Sequence, residues 1–359
     1  MPDKTITILN DIPIFAGIGQ YNRDLIELLL SNGYKVKNVS YNSYVFDNSN
    51  FSNVRLQRPF ERFKFSQNLI TITNSNLFQF RKFLTPPVLI ASQFLIPLGL
   101  GKDDVAITVH DITQMHMTGY DFLSSGLTSI KLHLLRKYKN IIVDSNFVKQ
   151  DILEHFRLDD DSVHVLYSWI NLRNIQTFGT LKRMIDPKNI SLIHVGSDIP
   201  NKNVRLLYKV LRSLPPSYTL IRVGTNSKRN LKFLKENNLL GRVKFYEGIS
   251  KEKLEDLYNS SHLFLYPSKY EGFGRPLLEA MAHGLPIIYR NSSSLPEIAG
   301  NAGIAFDGDD VDTITEAIQK ITDKDNYSQQ SAKSIERSKF FDITNQGSIT
   351  IKFIDELLK

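Results

Sequence analysis

The chain has 359 residues, 42% of them hydrophobic, with a net charge of +7 and no cysteine. That is about two domains at roughly 150 residues each, and without cysteine neither disulfides nor thiolate metal sites can form. The longest apolar stretch, Pro86 to Gly101, is interrupted by Ser92, Gln93 and Pro97 and is shorter than the ~20 residues of a membrane span, while the opening MPDKTITILND lacks the pattern of a signal peptide, so a cytoplasmic protein is expected.

Thr5 to Leu9 alternates as a strand does, and a loop from Asn10 to Gly19 leads to an amphipathic helix ending near Leu30. Asn32-Gly33 stops that helix and Tyr34 to Val39 begins a second strand. Gly17-Ile-Gly19 precedes the helix, but Asn22 stands where a dinucleotide fingerprint has its third glycine, which disfavours a Rossmann cofactor site. From Phe51 to Leu84 phenylalanines interleave with arginines and lysines. Core aromatics on elements with one wet face account for this, a membrane interface is the second reading, and no nucleic-acid motif accompanies it. Val105 to Val109 predicts a strand that delivers His110 and Asp111 at its carboxyl end, where open parallel sheets bind ligands. Asn140 to Asp144 is the next strand, leading to Ser145 and a helix from about Val148, and Val163 to Tyr167 completes the first half.

The polar stretch from Asn171 to Lys188 has no periodic element and predicts the domain junction, with one domain over 1–170 and a second over 171–345. Ser191 to Val195 restarts the rhythm, and Lys202 lies just before a helix from about Asn203. Strands at Thr219 to Val223 and Val243 to Tyr246 end in Gly224 and Gly248, which places a nucleobase near Tyr246 to Ile249. Between Lys182 and Arg275 there are 18 Lys or Arg against 8 acids. Such a surface attracts a nucleotide or an anionic membrane, although a solvated basic face is the commoner explanation.

The stretch from His262 to Glu297 carries the most chemistry. Leu263 to Tyr266 is a buried strand stopped by Pro267, and Gly272 and Gly274 make a loop. Pro276 suits a helix start, Gly284 its stop, and Ile287 to Tyr289 the next strand. Glu271 lies in the loop and Glu279 in the helix, beside amides of Leu277 and Leu278 expected to be unpaired. Such amides attract phosphate, and a neighbouring carboxylate accepts hydrogen bonds from sugar hydroxyls. Glu279 taken alone is better explained as complementing the helix dipole. Ile351, Phe353, Ile354, Leu357 and Leu358 can form one apolar face of a C-terminal helix.

The string Pro267, Ser268, Glu271, Gly272, Phe273, Gly274, Pro276, Leu278, Glu279, Ala280, Met281, Ala282, Gly284, Pro286 closely resembles the E-x7-E signature of the retaining, GT-B-fold glycosyltransferases of family 4. The resemblance implies an α/β chain of two Rossmann-like domains facing a cleft, an N-terminal acceptor domain and a C-terminal donor domain, with the last helix, about 346–359, returning to the first. It implies that Glu271 faces the donor sugar, that Glu279 holds the ribose with Ile249 near the base, and that Lys202, Leu277, Leu278 and the Gly19 region meet the donor diphosphate. His110, in a V-H-D string, is implied to orient or polarise the sugar, and Ser145 to contact donor or acceptor. Four positions depart from the family pattern: Ala16, Gln20, Asn201 in place of an arginine, and Arg275. Arg275 either reaches the diphosphate in compensation or points to solvent.

The expected activity is therefore metal-independent, retaining hexosyl transfer from a nucleotide sugar, GDP-mannose first and UDP-glucose or a related UDP-sugar second, to a glycan or lipid-linked acceptor. No cofactor, metal ligand or nucleic-acid partner is assigned, and peripheral contact with the inner membrane face is allowed. Asp307-Gly308-Asp309 is a candidate metal motif better explained by capping of the following helix. A hydrolase using Glu271 and Glu279 as acid and base is a rival reading, as is a catalytically silent sugar-nucleotide-binding scaffold.

Overall fold

A computed structural model describes residues 4–10, 17–40, 46–55, 83–91, 105–117, 132–175 and 186–359. The chain forms two compact units, Met1–Ser168 with Gly347–Lys359, and Trp169–Gln346.

The first unit is built on a seven-stranded parallel sheet in the order β3-β2-β1-β4-β5-β6-β7. These strands are β1 (Thr5–Asn10), β2 (Lys35–Ser40), β3 (Phe51–Arg55), β4 (Val88–Ile90), β5 (Val105–Val109), β6 (Asn140–Val143) and β7 (Val163–Val165). β5 is buried at every position, as its VAITV sequence requires of a strand covered on both faces. Three helices of this unit matter below: α1 (Gly17–Ser31), the single turn α2 (Thr113–His116) and α3 (Asn146–Phe156). β3 and β4 are strands that periodicity does not flag. β4 is three residues long behind Pro86-Pro87, too short for a pattern. Of the aromatic and basic stretch from Phe51 to Leu84, residues 51–55 form β3, and 56–82 lie outside the described residues.

The second unit has a six-stranded parallel sheet in the order β10-β9-β8-β11-β12-β13. Its strands are β8 (Ile190–Val195), β9 (Tyr218–Val223), β10 (Val243–Tyr246), β11 (Leu263–Tyr266), β12 (Ile287–Arg290) and β13 (Ile304–Phe306). Helices α4 (Val204–Ser213), α5 (Lys228–Glu236), α6 (Lys251–Ser260), α7 (Arg275–Ala282), α8 (Leu295–Ala299), α9 (Val311–Ile321) and α10 (Lys324–Phe340) complete it. One hydrophobic cluster binds α4 to the sheet and to α9 through Leu207, Leu211, Leu265, Ile314 and Ile318.

The last helix, α11 (Ser348–Leu357), belongs to the first unit. Asp355 pairs with Lys4 at 2.6 Å and accepts from the Tyr34 hydroxyl at 2.7 Å, and Phe353 packs against His164.

Both sheets reverse strand order once, between β1 and β4 and between β8 and β11. A parallel sheet opens a crevice at the carboxyl ends of the strands flanking such a reversal. In the second unit those ends lead to Lys202, after β8, and Glu271, after β11.

Candidate functional site

Lys202 closes a 3-10 turn, Pro200–Lys202, and the next residue, Asn203, takes a left-handed conformation with φ 49° before α4 begins. The Lys202 ammonium donates to Glu271 Oε1 at 2.6 Å and to the Tyr266 hydroxyl at 3.2 Å. The two charged side chains are 16% and 10% exposed, so their pairing is only weakly screened by solvent. Burial, reinforced by the Glu271 carboxylate, pushes the Tyr266 phenol well above its usual pKa, which keeps it neutral. Below Lys202 lies His194, fully buried, with neither ring nitrogen hydrogen-bonded among the described residues. Burial first, then the Arg222 and Lys202 cations, hold its imidazole well below the ordinary value and therefore uncharged. Gly196, at φ +152°, takes a backbone conformation that residues with side chains rarely adopt, and a Cβ there would be in ordinary van der Waals contact with His194 and the Lys202 stem.

The loop bearing Glu271 is pinned from two sides. The Glu271 amide donates to Ser293 Oγ at 3.0 Å, its carbonyl accepts from Ser294 Oγ at 3.0 Å, and Ser292 Oγ donates to the Ser268 carbonyl at 3.0 Å. On the other side Asn201 Nδ2 donates to the Tyr270 carbonyl at 3.1 Å, and the Asn201 carbonyl accepts from the Lys269 amide at 2.7 Å. Asn201 is thus a buried loop clamp, a role hidden in a motif comparison that registers only a missing arginine. The Ser292–Ser294 run is equally silent in the sequence, its one signal being a polar cluster at the end of an apolar strand.

The expectation for Leu277 and Leu278 requires correction. α7 begins at Arg275 with Gly274 as its N-cap, at φ +91°. Leu277 is then its third residue, and its amide donates to the Gly274 carbonyl at 2.9 Å, with the Leu278 amide 3.4 Å from the same oxygen. Both residues are buried. The helix start one residue earlier than the proline signal engages these amides, so they are not open donors for a phosphate.

Glu279 follows Leu278, one turn on from Arg275. Tyr258, buried in α6, donates its hydroxyl to Glu279 Oε2 at 3.0 Å and stacks on His283 at 5.2 Å. Arg275 Nε approaches Glu279 Oε1 at 3.9 Å, and the Arg275 side chain is 17% exposed. Of the two uses expected for Arg275, pointing to open solvent is the one this burial contradicts. Ile249 is half-buried between Gly248, at φ +63°, and Ser250, which caps α6. Asp309 accepts from Arg290 at 2.5 Å and from Asn203 at 2.9 Å, Asp307 from Asn291 at 3.1 Å, and Asp310 caps α9. The two outer carboxylates of the Asp307-Gly308-Asp309 motif therefore already have hydrogen-bond partners.

In the first unit, His110 follows β5 and is 5% exposed. Its Nδ1 lies 2.6 Å from Asp144 Oδ2 and its Nε2 lies 3.1 Å from the Ala91 carbonyl, so strands β5, β6 and β4 all contribute. Tyr21 of α1 meets the ring edge-on at 5.0 Å. Two acceptors flank the two nitrogens, an arrangement satisfied in full by the doubly protonated ring. Burial works against that charge, yet the Asp144 carboxylate, the Ala91 carbonyl and more distant Asp111 outweigh it and raise the His110 pKa. Asp144 holds the ring, and the adjacent Asp111 caps a turn by accepting from the Thr113 amide at 3.0 Å. Ser145 is fully buried and caps α3, accepting from the Val148 amide at 3.2 Å. Gly19 lies buried in the first turn of α1, which begins at Gly17 rather than after Gly19.

Residues 182–338 match the family model described as Glycosyl transferases group 1. O-antigen chain mannosyltransferase B of Escherichia coli is 32% identical over 167 residues, 44% of each chain. O-antigen chain mannosyltransferase RfbU of Salmonella typhimurium is 28% identical over 219 residues, 60% of each. The chain thus spans about half the length of the curated relatives it matches. Among solved structures, sucrose-phosphate synthase (tll1590) of Thermosynechococcus elongatus superimposes with a TM-score of 0.80 at 17% identity, covering 99% of both chains. The chain has the fold of the GT-B glycosyltransferases, and its residues 182–338 are similar to the glycosyl transferases group 1 family.

Proposed function

We propose that this protein is a retaining, metal-independent glycosyltransferase that moves mannose from GDP-mannose to a glycan or lipid-linked acceptor during polysaccharide assembly. The carrying observation is the Lys202–Glu271 pair, 2.6 Å apart, reached from two strands that flank the strand-order reversal of the second sheet. Such a pair supplies one cation for a departing diphosphate and one carboxylate for a sugar that turns positive as the bond breaks. A cation about 4 Å from a unit of developing charge contributes roughly 4 kcal/mol of attraction at an effective dielectric near 20, and preorganised charge of this kind is where catalytic stabilisation concentrates. On donor binding Lys202 turns from Glu271 to the diphosphate, and Glu271 faces the sugar. The leaving phosphate takes the acceptor proton, so the acceptor enters on the face the diphosphate leaves and configuration is retained. Glu279, steadied by Tyr258, holds the ribose, and Arg275 adds charge beside it. In the first unit His110, oriented by Asp144, is the group assigned to the donor sugar.

Mannose rests on the two O-antigen relatives named as mannosyltransferases. No helix among the described residues is long and apolar enough to cross a membrane, and the basic stretch from Lys182 to Arg275 is the feature that supports peripheral contact with a lipid-linked acceptor. The test is a thermal-shift panel of nucleoside diphosphates followed by donor hydrolysis. Stabilisation by GDP and hydrolysis of GDP-mannose support the reading. Stabilisation by UDP moves the donor to a UDP-sugar, and diphosphate binding without turnover of any donor in the presence of native acceptors makes the protein a silent scaffold.

A further inference from the structure

The first unit carries a second cluster that the sequence reading does not single out. Asp151 and His155 are four residues apart on α3, hence on one face of the helix, and His116 ends α2. Asp151 is 7% exposed, and its two carboxylate oxygens lie 2.8 and 2.9 Å from His116 Nε2. Its Oδ1 is also 3.3 Å from His155 Nδ1, and the two imidazoles meet edge-on at 4.9 Å. Taking one ligand atom from each residue, all three lie within 4.8 Å of one another.

Donors bonded tetrahedrally to one zinc-sized ion at about 2.0–2.2 Å stand about 3.3–3.6 Å apart. The carboxylate is already at or inside that spacing from each imidazole, so a small approach of the two rings completes a three-donor face. We propose that His116, Asp151 and His155 bind a divalent ion of the zinc type, with water in the fourth position. Two imidazoles and a carboxylate suit zinc, whereas calcium and magnesium favour all-oxygen shells. Binding exchanges the contact between His155 Nδ1 and the Asp151 carbonyl, 2.8 Å long, for a bond to the ion. It also takes the place of the contacts between His116 Nε2 and the Asp151 carboxylate. The ion ties α2, which starts three residues after His110, to α3, and so braces the segment leaving the His110 strand.

The test uses tag-free, metal-stripped protein, titrated with Zn2+ by calorimetry and with Co2+ by visible absorption. One ion per chain is expected, with the ligand-field bands of four-coordinate Co2+. His155→Ala, at an exposed helix position, and Asp151→Asn are expected to weaken Zn2+ binding about tenfold or more, with circular dichroism showing that each variant is folded. Weakening in either folded variant supports the site. No saturable binding to the wild type, or binding unchanged in both variants, overturns it.

Discussion

Glu271 and Lys202 neutralise each other across 2.6 Å. In the proposed donor site the cation is therefore already engaged, and a bound diphosphate would have to divide the pair. Glu271→Ala is expected to lower turnover by at least about 10²-fold, the loss typical of removing one preorganised charge-stabilising group. Nucleoside diphosphate affinity is expected to hold or rise, because Lys202 is released. Donor turnover and calorimetry of the same variant check this, and wild-type turnover would remove the catalytic assignment.

Lys202→Ala has the opposite profile. A charge-assisted hydrogen bond contributes about 1.5–3 kcal/mol, so nucleoside diphosphate affinity should fall about tenfold or more. Glu271 is also left buried beside the Tyr266 hydroxyl without its cation, and a lower melting temperature should accompany the loss. Calorimetry and a thermal melt separate the two effects.

At position 201 the family pattern and this fold disagree. An arginine there ought to restore a diphosphate contact, but Asn201 is 6% exposed and donates to the Tyr270 carbonyl. Asn201→Arg is expected to destabilise the protein by about 2 kcal/mol or more through a buried, poorly partnered charge, without a gain in diphosphate affinity. Denaturant unfolding and calorimetry give the two readouts.

His110 sets a pH dependence. Its pKa is raised in the folded state, since Asp144 and its other acceptors outweigh burial. The stability it contributes is thus complete below the unfolded value of about 6.5 and is lost as pH rises through the folded value. Asp144→Asn should lower the His110 pKa and flatten this part of the stability curve. Histidine NMR titration and denaturant unfolding across pH 5 to 9, roughly the span around that transition, test it.

Gly274→Ala probes the loop directly. The backbone is left-handed there, and an added Cβ would meet Leu295 Cδ2 at 2.8 Å. The conformational cost alone is about 1–2 kcal/mol, and the neighbouring Glu271 loop should shift with it. A thermal melt and donor turnover should both fall.

Much of this architecture was legible because parallel strands covered on both faces read as short apolar runs, as VAITV and LFLY do. The glycines and prolines around Glu271 marked loop, helix and stop in register with a recurrent motif. What escaped was whatever depends on residues distant in sequence. Asp144, 34 positions from His110, orients its ring, a pairing that no local spacing shows. Tyr258, Tyr266 and the three serines after β12 act through tertiary contacts that no local pattern encodes. Leu277 and Leu278 were misjudged for a local reason, since the helix starts at Arg275 and pairs their amides within its own first turn.

The hydrogen bond from Lys4 to Asp355 joins residues 351 positions apart. During synthesis the second unit, continuous from Trp169 to Gln346, can complete its sheet as soon as it leaves the ribosome. The first unit can pair its strands, all of which precede Ser168, but Tyr34 and Lys4 await a helix translated after the whole of the other unit. Its sheet emerges first and its last helix only at the end, and contacts of such long sequence separation slow folding. The unit that carries His110 is therefore the one most exposed to chaperones and to aggregation while the chain is being made.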